Sequence, residues 1–238
     1  MAISGGKDAA LRRPGKESVV PADVAAIRRQ IRSFLDSKTP EGLAIGNAKF
    51  GVYAFFDYDG EPIYVGQTYE SLRQRISRHL TNQRTDAVAM NVLDPFEVAE
   101  IEVWPLFALA GKTTKDSVAK AALASAEYTV FEMLLQQSTF KAVLNEGDIA
   151  KVEMVVLPQS YRGRIIPDDL YVARKHPDVR IARRAATIAN LARVISERDV
   201  SKGLRRTLLT QARRLEKLAG DRLKEVSGEI PVGDPEES

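Results

Sequence analysis

Apolar side chains recur along this chain in two rhythms, one suited to helices and one to strands. Ile27, Ile31 and Phe34 fall at i, i+4 and i+7, with Arg28, Arg29 and Arg32 mostly off that stripe, which predicts a helix over Pro21–Leu35. Pro21 suits its first turn, and Pro40 with Gly42 closes the segment. The helix either covers a core or also offers its arginines to a partner, and the stripe favours the cover. From Phe50 to Phe56 the chain is aromatic and β-branched; a turn at Tyr58, Asp59 and Gly60 follows, then Pro-Ile-Tyr-Val-Gly. Two short strands so close together predict an antiparallel hairpin carrying Tyr53 and Tyr64. Leu72, Ile76 and Leu80 then recur every four residues, a helix with Ser71 as its cap. A third strand fits Val98–Leu106, with Ile101 and Val103 on one face and Glu100, Glu102 and Trp104 on the other.

A polar connection, 111–117, leads into a long helix over Ser117–Gln137 with Leu123, Val130, Phe131 and Leu134 as its apolar surface. The chain leaves it through Phe-Lys-Ala-Val-Leu-Asn-Glu-Gly and turns at Gly147; residues 151–157 alternate well enough to predict another strand. Gln159–Asp169, with Pro, Gly and paired arginines, reads as a boundary. Two further helices fit Ile181–Ile195 and Ser201–Val226. In the second, Leu204, Leu208, Ala212, Leu215 and Leu218 define a face and leave Arg205, Arg206, Arg213, Arg214 and Lys217 for solvent or a partner. The result is an α+β chain in four parts. An extension with one helix (1–48) precedes a small sheet domain flanked by helices (49–158); a basic helical region (159–227) and an acidic, disordered tail (228–238) follow.

Composition narrows the chemistry. At 238 residues and 44% hydrophobic, the chain has enough apolar material for one core and a smaller second module. Cysteine is absent, which removes disulfides, thiolate metal sites and cysteine nucleophiles; the two histidines, His79 and His176, rule out a histidine-rich metal site. With no signal-peptide or membrane-spanning pattern, the expected setting is the cytoplasm. Net charge is only +3, but its distribution is uneven. Tyr161–Gly220 carries fifteen Lys or Arg against six Asp or Glu, a positive region able to meet a phosphate backbone.

The polar residues among the central elements form a set: Tyr53 and Tyr64 on paired strands, Arg75 and His79 four apart on one helical face, Glu132 on the long helix, Asn145 just after it. Phosphodiester hydrolysis needs a base for water, positive charge for the phosphoryl oxygens and relief of charge on the leaving oxygen, and this set holds a candidate for each. Taken singly, each residue has an ordinary use: strand tyrosines pack, and helical arginines and glutamates face water. In combination, Gly51-Val52-Tyr53 and Tyr64-Val65-Gly66 resemble the two signature triplets of the GIY-YIG nucleases, with valine for isoleucine in both. Arg75 and His79 stand where that family has its arginine and frequent histidine. Glu132 fits its metal-binding glutamate and Asn145 its asparagine. Glu127, on the same helix, is the competing carboxylate; the thirteen-residue interval from Glu132 to Asn145 is closer to the family's.

The resemblance covers about Phe50–Glu146 and implies a three-stranded antiparallel sheet flanked by helices, with one divalent cation, Mg²⁺ or Mn²⁺ in its place, held by Glu132. It implies a metal-dependent DNA endonuclease leaving 5′-phosphate and 3′-hydroxyl ends. Arg75 would hold a phosphoryl oxygen, Tyr53 is a candidate base and Tyr64 would orient water or phosphate. His79 either takes a proton or tunes Tyr53; Asn145 would fix loop geometry or bind phosphate. Free-standing relatives of this size resemble type II restriction enzymes, so site-specific cleavage of double-stranded DNA is the leading expectation, with a homodimer as the simple way to cut both strands. A repair or mobile-element nuclease, or a noncatalytic DNA-binding protein, is the alternative; RNA is a weaker substrate candidate because no RNA-binding motif is visible. The C-terminal helices would grip phosphates, read bases or only pack.

Overall fold

The computed structural model describes residues 20–81, 94–145 and 149–228. The N-terminal extension before residue 20, the turn at Gly147 and the acidic tail from 229 onward lie outside the described residues. The elements, in chain order, are α1 (Ala22–Asp36), β1 (Gly51–Phe56), β2 (Pro62–Thr68), α2 (Leu72–Thr81), β3 (Glu100–Pro105), α3 (Ser117–Gln137), β4 (Tyr161–Arg164), α4 (Asp168–Lys175), α5 (Pro177–Glu197) and α6 (Lys202–Ser227). The fold is α+β, a small antiparallel sheet flanked by N-terminal and C-terminal helices. No described helix is long and apolar enough to cross a membrane.

The sheet has four strands in the order β2-β1-β3-β4, one more than the resemblance implied. β1 lies at its centre, and all six of its residues are buried because helices cover both faces. On one face Tyr53, Phe55, Ile101 and Val103 pack with Ile31 and Leu35 of α1, with Leu72 and Ile76 of α2, and with Leu191 and Leu204 of the C-terminal helices. On the other, Val52, Ala54, Phe56, Val65 and Trp104 meet Leu123, Ala126, Val130 and Leu134 of α3. Trp104 shares its strand face with two glutamates yet is buried, because α3 covers it. The period-2 pattern of β3 therefore reports two different covered faces, not one covered and one wet.

Two elements differ from expectation. Residues 151–157 form no strand: they belong to no ladder among the described residues, Val156 is 99% exposed, and Val155 N donates to Thr129 Oγ1 at 3.0 Å. Their alternation satisfied the local rule for a strand, but no sheet edge accepts them. The fourth strand comes instead from the presumed boundary. Tyr161–Arg164 pairs antiparallel with β3, Glu102 opposite Arg162, and Arg162 donates to Glu100 at 2.7 Å. Its charges read as linker because they satisfy one another across the ladder.

The C-terminal helices are anchored by buried charge. Arg180, Arg184 and Arg214 are each at most 5% exposed and converge on the β1–β2 turn. Asp57 Oδ2 accepts from Arg184 Nη2 at 2.6 Å, Arg214 Nη2 at 2.8 Å and Arg180 Nη2 at 3.5 Å. Its Oδ1 accepts from the backbone of Asp59 and Glu61, which shapes the turn that Gly60 completes with φ +76°. Arg180 also makes a paired contact with Asp59 (2.8 and 2.6 Å), and Arg184 donates to Glu97 at 3.1 Å. Three carboxylates thus balance three guanidinium groups. The leucine face expected for α6 is accordingly rotated: its buried residues are Gly203, Leu204, Thr207, Gln211 and Arg214, while Ala212 is exposed. Arg214 is not left for solvent, because the surface that α6 meets is itself charged.

Candidate active site

Strand register builds the first half of the site. Tyr53 on β1 stands opposite Gly66 on β2, and its ring lies across that glycine. A Cβ at Gly66 would sit 2.5 Å from Tyr53 Oη and 2.9 Å from the Tyr64 ring, so only glycine leaves both tyrosines in place. Arg75, half-buried on α2, donates from Nε to Tyr53 Oη at 3.2 Å. One turn further along α2, His79 enters an aromatic box, with ring centroids 5.8 Å from Tyr53, 5.3 Å from Tyr64 and 6.1 Å from Phe55. His79 is 1% exposed, and neither ring nitrogen meets a hydrogen-bond partner among the described residues. Burial, then the charges of Arg75 and Arg78, push its imidazole down to about 3. It is neutral near pH 7 and carries two unused polar atoms.

The second half lies at the outer edge of β2. Asn145 copies a strand there: its Oδ1 accepts from Val65 N at 3.2 Å and its Nδ2 donates to Val65 O at 2.8 Å. Leu144 N also donates to Ile63 O at 3.0 Å, so the segment after α3 is fastened to the edge strand. Asn145 and Glu132 line one open cavity of about 860 Å³, whose walls are α3, the segment following it, and α6. Tyr128, one turn before Glu132, donates its hydroxyl to that carboxylate, and this bond holds the phenol above its ordinary value. The i, i+4 spacing of Tyr128 and Glu132 was visible in the sequence, but Tyr128 matches no expected part of the set.

Of the six expected residues, Tyr53, Tyr64, Arg75 and His79 come together on the α2 face. Glu132 and Asn145 come together in the cavity. α2 and α3 cover opposite faces of the sheet, and Arg75 does not line that cavity. The link between the halves is Val65, whose backbone holds Asn145 and whose chain neighbours are Tyr64 and Gly66. Among the described residues no three His, Cys, Asp or Glu side chains group as a metal cage. A hard cation that keeps most of its water needs fewer protein ligands, and one half-buried carboxylate in an open cavity fits such an ion.

Residues 49–132 match the model of the GIY-YIG catalytic domain. No curated protein and no solved structure matches the chain. The GIY-YIG match ends at Glu132, so Asn145, β4 and the C-terminal helices lie beyond it. The domain thus contains the tyrosines, the arginine, the histidine and the glutamate, and the rest of the chain supplies the far wall of the cavity. Lys151, Arg206 and Arg213 are on that wall. The sequence leaves Arg206 and Arg213, with Arg205, Arg214 and Lys217, for solvent or a partner, and of these five Arg214 alone is buried.

Proposed function

We propose that the chain is a metal-dependent DNA endonuclease whose active centre runs around the edge of β2, from the Tyr53–Arg75–His79 group to Glu132. The observation that carries this reading is the Arg75 Nε contact to Tyr53 Oη beside a buried, neutral His79. The contact places a positive charge beside the phenolic oxygen proposed as the base. Arg75 is also half-buried and not fully enclosed, so its guanidinium can reach a non-bridging phosphoryl oxygen, where negative charge grows during reaction. An incoming phosphodiester offsets the positive charges that depress His79, which raises the affinity of that ring for a proton as substrate binds. Tyr64 orients water or phosphate, and Asn145 keeps the edge strand and the cavity in register. Glu132 would hold a Mg²⁺ ion, for which Mn²⁺ substitutes, and the ion would supply Lewis-acid charge to the phosphoryl and leaving oxygens.

In the reaction, water oxygen bonds to phosphorus, the bond to the 3′ oxygen breaks, and that oxygen takes up a proton. The finer reading is a restriction-type, site-specific cut of double-stranded DNA by a homodimer. Nicking of supercoiled plasmid in Mg²⁺ tests the activity. The wild type should nick, and Glu132→Ala and Arg75→Ala should each lose at least about a hundredfold. Equal residual nicking by both variants, or none by the wild type, overturns the enzyme reading in favour of a noncatalytic DNA-binding protein. Sequencing of the ends made from genomic DNA separates one recurrent target from the dispersed cuts of a repair or mobile-element nuclease.

A further inference from the structure

We infer that residues 151–157 form the seam of a homodimer: two copies pair these segments antiparallel about a twofold axis at Met154. This names the partner surface for the proposed two-strand cut and rests on the nuclease reading only for its effect on cleavage. The stretch 149–160 holds no helix, turn or bend and no residue with positive φ, so it runs without a sharp change of direction. Its alternation is that of a strand, yet no backbone–backbone hydrogen bond joins 151–157 to the rest of the chain among the described residues. One edge is tied down: Val155 N donates to Thr129 Oγ1 on α3, and Leu157 packs against the core that α3 covers. In a strand, neighbouring residues turn their N–H and C=O groups to opposite edges. With Val155 turned to α3, Val152, Met154 and Val156 offer theirs to the opposite edge, and all three side chains are exposed. An unpaired edge flanked by exposed apolar side chains is a template for another strand.

The pattern is self-complementary, which selects a second copy as the occupant. A twofold at Met154 sets Val152 opposite Val156 and Met154 opposite itself, so the exposed apolar side chains of both copies share one face of the ribbon. A twofold at Glu153 would place two carboxylates directly opposite each other, and one at Val152 would set Val156 opposite Asp148. The chain's own ends are poor occupants. Residues 1–19 contain Gly5, Gly6, Pro14 and Gly15, and residues 229–238 contain Pro231, Pro235 and four acids, all of them types that strands disfavour. The seven residues 151–157 are few beside the roughly 20–30 a side of a standard interface, so the dimer should form at micromolar rather than nanomolar concentration. Thr129 precedes Glu132 by three residues on α3, and Lys151 lines the Glu132 cavity, so the seam adjoins the carboxylate in each copy. A twofold there brings two active centres into one assembly, the simple way to cut both DNA strands.

Sedimentation velocity without DNA or metal tests the seam independently of catalysis. The wild type should pass from monomer to dimer between about 1 and 100 µM. Met154→Pro deletes an N–H that has no partner among the described residues, and with it the central ladder bonds of the ribbon. It should keep the wild-type circular dichroism and weaken association at least about tenfold. Val118→Asp, at an exposed apolar position near the start of α3, should associate like wild type. The chain has no cysteine, so Met154→Cys carries a single thiol. On the axis its Cα would lie about 5.5 Å from its counterpart, within disulfide reach, so mild oxidation should link the dimer and leave Val118→Cys unlinked. On supercoiled plasmid in Mg²⁺, wild type should yield linear product and Met154→Pro mainly nicked circles. A wild type that is monomeric throughout, or whose association Met154→Pro leaves unchanged, overturns the inference whatever the plasmid shows. If Met154→Pro loses its folded spectrum, the thiols decide: equal linkage of Met154→Cys and Val118→Cys overturns the seam. A wild type that associates through 151–157 but never nicks keeps the seam and removes the catalysis.

Discussion

Replacing Asp57 with Asn should destabilise the fold more than any other single-atom change in the turn. Asparagine keeps the Oδ1 that accepts from Asp59 and Glu61, so the hairpin retains its local bonds. It puts an amide donor where Oδ2 now accepts from three guanidinium groups, two of them within 2.8 Å. Arg180 keeps its contact with Asp59 and Arg184 keeps Glu97, but Arg214, 2% exposed, pairs with no other carboxylate among the described residues. An uncompensated buried charge costs about 3–5 kcal/mol. For a chain of this size that corresponds to a fall of roughly 6–20 °C in Tm, and it is a large part of an ordinary net stability of about 5–15 kcal/mol. Urea denaturation followed by far-UV circular dichroism measures it. Asp59→Asn, at a half-exposed position, should cost only about 1 kcal/mol. Adding Arg214→Met to Asp57→Asn should recover at least half of the loss, since an apolar side chain of similar volume removes the stranded charge. If Asp57→Asn shifts stability by under about 1 kcal/mol, Arg214 is hydrated and the cluster does not anchor the helices.

Two other expectations follow from the tyrosine face. His79 titrates normally near 6.5 but at about 3 when buried, so the unfolded chain takes up a proton that the folded chain refuses as pH falls between those values. Stability should therefore drop on acidification through that window, by at most about 1.4 kcal/mol per pH unit from this residue. His79→Phe should flatten the slope and, by removing two unpartnered nitrogens, add about 1 kcal/mol at neutral pH while lowering nicking; thermal melts across pH and a plasmid assay read both effects. An unchanged acid slope would mean that the ring is hydrated. Gly66→Ala should displace Tyr53, costing about 1–3 kcal/mol and most of the activity, and adding Tyr53→Phe should restore stability but not nicking. A Gly66→Ala enzyme with full activity would show that Tyr53 is not positioned by this contact.

Much of the central architecture was legible because neighbouring residues decide it. Leu72, Ile76 and Leu80 specify α2 by spacing alone, and the long helix begins and ends at Ser117 and Gln137 as its pattern predicts. Asp116 explains the start, with its side chain accepting from Val118 N and Ala119 N. The signature triplets predicted that Tyr53 and Tyr64 would meet, and the register places them with ring centroids 6.2 Å apart. What could not be read was long-range pairing of charge. Arg162 looks like a linker residue until Glu102 is opposite it and Glu100 accepts from it, and Arg180, Arg184 and Arg214 look like solvated charges until Asp57 lies beneath them. Residues 151–157 fail in the opposite way: their alternation is that of a strand, but edge pairing depends on a neighbour that periodicity does not supply. In the site, the tyrosine face followed from local motifs. The separation of Arg75 from the Glu132 cavity depends on which side of the sheet each helix crosses, and no local pattern encodes that.

The position of β4 bears on how this protein can be rebuilt. Its four residues come after the GIY-YIG match, yet they cover the outer side of β3, and the helices that follow neutralise an aspartate in the first hairpin. The C-terminal third is therefore not a detachable cassette. Grafting a foreign appendage onto residues 49–132 would leave a sticky sheet border and a stranded anion, and so yield an aggregating fragment before it yielded a retargeted one.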